Sequence, residues 1–304
     1  MKTNETTAPL SREQSRRHFL RLAGVGAAGC LAVPGLGLAA DAPAPAGFTG
    51  AAAPQAKRLF HLGMASYSLR KFNLVQTIQM TQRLGLRYIC LKSFHLPLDA
   101  KPEEITAATT KLKEAGLLLY GGGVIGMKTA ADVEKGFAYA AAAGMKKIIA
   151  MPTADMLPLI NQKVKQYDIA VCIHNHGPGD TFPTPADVYP KIKDLDKRIG
   201  LCNDIGHTVR AGADLIETTR QCADRLMDIH IKDVSAANAK ALEVVIGHGV
   251  IDIPRFLATL IDLKYNGVVS FEHEPNPEDP MPGLGESVGY VRGVLAAIDG
   301  PEAS

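Results

Sequence analysis

From about residue 59 onward, short apolar runs alternate with longer segments in which apolar residues recur every three or four positions. The short runs lie at 61–66, 88–92, 117–121, 147–151, 169–174, 199–204, 227–232 and 267–272. Runs of this length, apolar on both faces, predict strands buried on both sides. The amphipathic segments between them predict helices at 74–84, 102–114, 130–143, 213–222, 253–263 and 285–298, with weaker periodicity at 157–166 and 185–195. Gly85, Gly116 and Gly144 follow three of these helices, where a residue free to turn left-handed ends them.

Strand–helix alternation of this kind predicts an α/β fold with a parallel sheet covered by helices. A closed (β/α)8 TIM barrel, a single domain over 58–300, is the economical form at this length. An open doubly wound sheet is the alternative. Polar residues separate the two. His174, Asp204, Lys232 and Glu272 all stand at the C-terminal ends of their runs. A barrel gathers those ends at one mouth, whereas an open sheet spreads them along a crevice. Gly121-Gly122-Gly123-Val124-Ile125-Gly126 matches a dinucleotide-binding glycine pattern, but Lys146 and Lys147 stand where an acidic residue would be needed. A tight turn at the barrel mouth is expected there instead.

Four consecutive strand ends carry imidazole or carboxylate. The fifth ends in His174-Asn175-His176, and the sixth in Asn203-Asp204-Ile205-Gly206-His207. The seventh reads Asp228-Ile229-His230-Ile231-Lys232-Asp233, and the eighth Phe271-Glu272-His273-Glu274. Positions i and i+2 of a strand share a face, so these groups are aimed into one volume. Uncompensated charges there would cost several kcal/mol each. One divalent cation is the simplest compensation, and two His with an Asp and a Glu suit Mn, Zn, Co or Fe. An ion-paired network without metal is the competing arrangement.

The stretches CIHNHG, LCNDIGHTVRAGAD, DIHIKD and VVSFEHEP resemble the xylose isomerase-like TIM-barrel superfamily, the sugar phosphate isomerase/epimerase group. The resemblance covers residues 59 to 299. It implies a single divalent metal held by His174, Asp204, His230 and Glu272. It also implies substrate contacts from His207 and Lys232, and a pocket faced by His176, Lys92 and His95; Tyr67 or Phe94 offers a ring on which a sugar can stack. Catalytic candidates are Glu272, His176, Lys92 and His95. The sequence departs from the usual pattern at His174, where epimerases of the group place a Glu. Two metal-bound carboxylates on opposite faces of a substrate are therefore not both present.

The N-terminal 40 residues change the setting. Ser15-Arg16-Arg17-His18-Phe19-Leu20-Arg21 precedes an Ala/Gly-rich apolar run and resembles a twin-arginine export signal. The run is too short and glycine-rich for a membrane span. Cleavage between residues 39 and 46, an Ala/Pro-rich linker over 41–57, and a periplasmic protein are expected. Cys30 loosely fits a lipoprotein box, which makes lipid anchoring the less favoured alternative. Residues 1–40 carry five basic and two acidic side chains, a charge of +3 against +2 for the whole chain, which leaves the rest near −1. That balance offers nucleic acid no electrostatic footprint. Cys90, Cys172, Cys202 and Cys222 read as small buried hydrophobes.

Together these features predict a metal-dependent isomerase/epimerase-type enzyme that removes a proton next to a carbonyl of a non-phosphorylated sugar. A 3-keto-glycoside lyase or hydratase, expelling the aglycone by β-elimination, is the second reading. A non-catalytic carbohydrate-binding barrel is the third, weakened by the absence of Trp. The expected partner is a small carbohydrate, with homo-oligomerisation permitted.

Overall fold

The computed structural model describes residues 58–299. The expected export signal, its cleavage region, Cys30 and the linker lie outside the described residues. Eight strands and nine helices follow one another: β1 His61–Ala65, α1 Leu74–Arg83, β2 Tyr88–Leu91, α2 Pro102–Glu114, β3 Leu118–Met127, α3 Ala130–Ala142, β4 Lys147–Pro152, α4 Leu157–Tyr167, β5 Ala170–His174, α5 Pro185–Ile192, β6 Ile199–Asp204, α6 Ile205–Arg210, α7 Leu215–Gln221, β7 Leu226–Ile231, α8 Ile253–Asp262, β8 Val268–Phe271 and α9 Met281–Asp299. All neighbouring strands pair in parallel, and β8 returns to pair with β1. The result is a closed (β/α)8 barrel.

Local chemistry starts the helices where the periodicity begins. Asn73 accepts the Gln76 N–H while the Gln76 side chain returns the favour, and Thr129 with Asp132 does the same for α3. Two cores result from the strand pleat. Outward residues such as Ile89, Ile148, Val171, Ile173, Ile229 and Ile231 pack against helix residues including Phe137, Phe256 and Leu257. Inward residues Cys90, Ile149, Cys172 and Cys202 form a small separate core in the barrel lumen. All four described cysteines are buried and free, as their apolar settings predict.

Three elements differ from the sequence expectations. The glycine run is strand, not turn: β3 continues through it to Met127. A Cβ at Gly121 would lie 3.0 Å from the Lys147 carbonyl oxygen, and one at Gly123 would collide with the Ile149 carbonyl. Gly123 also has φ +149°. The glycines let β3 approach β4 closely, a use that low strand propensity conceals. The segment after β6 folds into two helices, α6 and α7, rather than one. Finally, β7 leads into a short antiparallel ladder that pairs Asp233 with Val244 and Val234 with Glu243. The Asp233 carboxylate organises the following loop by accepting the N–H groups of Gly247, Gly249 and Ile251.

Candidate metal centre and substrate cavity

Strands β5 to β8 each place one buried inward residue two positions before a residue of the mouth, a small-core cysteine on β5 and β6 and a buried polar residue on β7 and β8. Cys172 precedes His174, Cys202 precedes Asp204, Asp228 precedes His230, and Ser270 precedes Glu272. One donor atom from each of His174, Asp204, His230 and Glu272 lies within 4.8 Å of all the others. All four residues are buried, none more than 5% exposed. The four residues expected to share a metal are thus brought together.

Lys232 enters the same cluster. Its ammonium lies 2.9 Å from Glu272 Oε2, 3.0 Å from Asp204 Oδ2, 3.2 Å from Glu274 Oε1 and 3.4 Å from Glu243 Oε2. These carboxyls hold its pKa far above the lysine range, against burial. Burial opposes ionisation of Glu272, yet His230 and Lys232 outweigh it and keep the carboxyl well below its ordinary value. Burial likewise opposes ionisation of Asp204, and His207, Lys232 and His174 overcome it. For Glu243 burial wins and pushes the pKa up to about 8. Even with Glu243 protonated, carboxylates outnumber the single ammonium.

That excess, with the orphaned donors around it, fits a divalent cation. His174 Nδ1 and His230 Nε2 are buried without a hydrogen-bond partner, and Asp204 Oδ2 meets only the Lys232 ammonium and, at 3.4 Å and without hydrogen-bond geometry, His174 Nε2. Burial lowers the His174 pKa to about 4, so its imidazole is neutral and has a lone pair to donate. His230 Nδ1 lies 3.1 Å from Glu272 Oε2, which orients the ring and leaves Nε2 free. Unpartnered buried groups of this kind cost about 1–3 kcal/mol each unless something binds them.

A cavity of about 410 Å³ opens above the cluster, lined by Tyr67, Lys92, Val124, Met151, His174, His176, His207, Arg210, Glu272 and Glu274. His176, Lys92, Tyr67 and His207 therefore stand where the sequence suggested. The Lys92 ammonium sits 5.2 Å from the Tyr67 ring centre. The His176 and His207 rings lie 4.6 Å apart. Gly177, at φ +82°, leaves room for the His207 ring; a Cβ there would lie 3.1 Å from Nδ1. Between the two histidines of the motif, Asn175 turns away from the cavity. It accepts the Asp204 N–H at 3.0 Å and donates to the Asp204 carbonyl and Thr208 Oγ1, tying β5 to β6.

His95 is the exception. It was expected to face the cavity but is absent from its lining. Its Nδ1 meets Ser66 Oγ at 2.9 Å, and Nε2 lies within bonding distance of Thr77 Oγ1 and the carbonyls of Leu69 and Phe72. The ring is spent on fastening the turn after β1 to α1, so it has no nitrogen left for chemistry. Conversely, Arg210 and Glu243 belong to the site although neither stands at a strand end in the sequence pattern. Arg210 stands one helical turn beyond His207, but the six residues of α6 are too few to show a helical period in the sequence. Glu243 reaches the site only through the short ladder after β7, which has no strong local signature.

A family model described as a xylose isomerase-like TIM barrel matches residues 44–293, beginning inside the stretch read as a linker. Among curated relatives, the rhizopine catabolism protein MocC of Rhizobium meliloti is 26% identical over 137 residues, 40% of this chain and 42% of that protein. The inosose dehydratase of Geobacillus kaustophilus is 31% identical over 94 residues, 26% of this chain and 30% of that enzyme. The chain thus aligns with less than half the length of the curated relatives it matches. Among solved structures, a 3-keto-D-glucoside 4-epimerase from E. coli superposes with a TM-score of 0.64 at 18% identity, covering 77% of this chain and 99% of that one.

Proposed function

Because the chain belongs to the xylose isomerase-like TIM-barrel family, we propose that it is a divalent-metal-dependent sugar enzyme of the isomerase/epimerase type. It removes a proton next to a carbonyl of a non-phosphorylated sugar. The observation that carries this reading is the convergence of His174, Asp204, His230 and Glu272 beneath a cavity large enough for a sugar. A divalent cation bound by these four residues supplies a Lewis acid for the substrate's oxygens. Glu272, ionised beside His230 and Lys232, lines the cavity and is the carboxylate placed to accept the proton. His176 and His207 line the same cavity and return a proton to the substrate. Tyr67 and Lys92 bind and orient the sugar from the far side of the ring of strands. The likeness to a 3-keto-D-glucoside epimerase and an inosose dehydratase supports a ketone-bearing carbohydrate as substrate.

A second reading rests on His174. Imidazole at this position leaves carboxylate on one side of the cavity and imidazole on the other. With Glu272 as the base and His174 committed as a ligand, the acid that assists a departing group falls to His176 or His207 on the opposite wall, an arrangement that suits β-elimination by a 3-keto-glycoside lyase. Residues 1–40 are proposed to export the protein to the periplasm; cell fractionation of the full chain and an Arg16→Lys/Arg17→Lys variant tests it.

The deciding experiment incubates the metal-loaded protein with a 3-keto-glucoside in deuterated water and follows C2 deuterium and aglycone release by NMR. Deuterium incorporation or a new isomer without release, lost in Glu272→Gln, is the expected result. Release lost in the same variant establishes elimination. Neither exchange nor release, here and across a panel of free ketoses, overturns both.

A further inference from the structure

We propose that Arg210 is a specificity-determining residue of this cavity and binds a carboxylate carried by the substrate, so that the preferred substrate is an acidic sugar. The proposal rests on the sugar-enzyme reading above and narrows its substrate class. Arg210 is the last residue of α6, one turn beyond His207, and both line the cavity. Its Nε is buried without a hydrogen-bond partner. One terminal nitrogen donates to the Ala239 carbonyl at 3.2 Å, and among the described residues no carboxylate pairs with the guanidinium. A guanidinium has five N–H donors in a planar fork whose geometry matches a carboxylate.

The carboxylates lining the cavity are accounted for. Glu272 and Glu274 are engaged by Lys232, so they are not the partners of Arg210. Beside Arg210 stand His207, whose Nδ1 is also buried and unpartnered, and His176. His176 Nδ1 is taken by the Asp180 carboxylate at 3.2 Å, so the unspent groups of this wall are His207 Nδ1 and the guanidinium of Arg210, its one permanent positive charge. Lys92 follows β2, four strands away around the barrel, and does not join that wall. The fork fits either anion, but one guanidinium balances the single charge of a carboxylate and only half that of a phosphate dianion. A neutral sugar would offer the buried Nε a hydrogen bond but no opposite charge.

Titration calorimetry on the full chain loaded with manganese tests this with D-glucuronate, D-glucose and D-glucose 6-phosphate. Glucuronate is expected to bind about 10- to 100-fold more tightly than glucose. Arg210→Gln is expected to bring that ratio near one, and Arg210→Lys to restore part of it through a point charge. A ratio near one in the unaltered protein overturns the proposal. So does a preference that Arg210→Gln leaves intact, because the carboxylate would then be held at the metal cluster. Equal weakening of both sugars makes Arg210 a support for the loop at Ala239, and tighter binding of the phosphate makes the anion a phosphate; each is also a refutation. Binding of none of the three overturns the proposal as well, and the deuterium experiment, read independently, shows whether the sugar reading falls with it.

Discussion

Asp204 Oδ1 accepts the backbone N–H of His207 at 2.8 Å, so one carboxyl oxygen starts α6 while the other remains among the nitrogens of the site. The residue at the end of β6 is at once helix cap and candidate ligand. This double duty places His207 and, a turn later, Arg210 over the cavity.

Asp204→Asn keeps an oxygen for the cap but removes the charge. The rise in melting temperature on adding manganese or zinc is expected to disappear, since a cation stabilises only the state that binds it. Asp204→Ala is expected to lose about 1 kcal/mol more, the usual worth of an N-cap. A metal-dependent rise that persists in Asp204→Asn would exclude Asp204 as a ligand.

Burial lowers the His95 pKa below its ordinary value, with backbone carbonyls opposing. The unfolded chain therefore takes up a proton more readily than the folded one. Stability from this residue is full above about pH 6.5 and is lost as pH falls toward the folded pKa. Denaturation between pH 7.5 and 5.5 should show that loss, and His95→Asn should show a lower but flatter profile. An unchanged slope in the variant would mean that the bracket around His95 does not form.

Arg225 is buried at 1% exposure, and its guanidinium donates to the carbonyls of Lys193, Leu195, Asp196 and Ile199. It closes the α5–β6 turn from beneath. Arg225→Met leaves those carbonyls unanswered and should cost about 3 kcal/mol or more. Urea denaturation is the measurement, with the midpoint falling and the slope unchanged.

Gly123→Ala drives a methyl into the Ile149 carbonyl at a backbone angle that alanine rarely adopts. A loss of about 2–4 kcal/mol is expected. Gly126→Ala, in the same strand with nothing within 4 Å of its missing Cβ, should fall within about 0.5 kcal/mol of the parent. Equal effects at the two positions would contradict the close β3–β4 approach.

The sequence by itself determined whatever depends on neighbours within a few residues. Strand period put His174, Asp204, His230 and Glu272 on inward faces, and the order of strands and helices made a barrel the economical closure. The caps at Asn73 and Thr129 are local in the same way. Tertiary structure decided everything that depends on a partner far along the chain. His95 is within four residues of Lys92, but only packing against Ser66, Leu69 and Phe72 shows that its ring turns away from the cavity. The glycine run became strand because the β4 backbone approaches it too closely for side chains. Glu243, 29 residues before Glu272 in sequence, meets the shared lysine only because a short ladder folds it back over the mouth. Periodicity reports which face a residue occupies; it carries no information about what will stand opposite, and that is what separates a spent side chain from an available one.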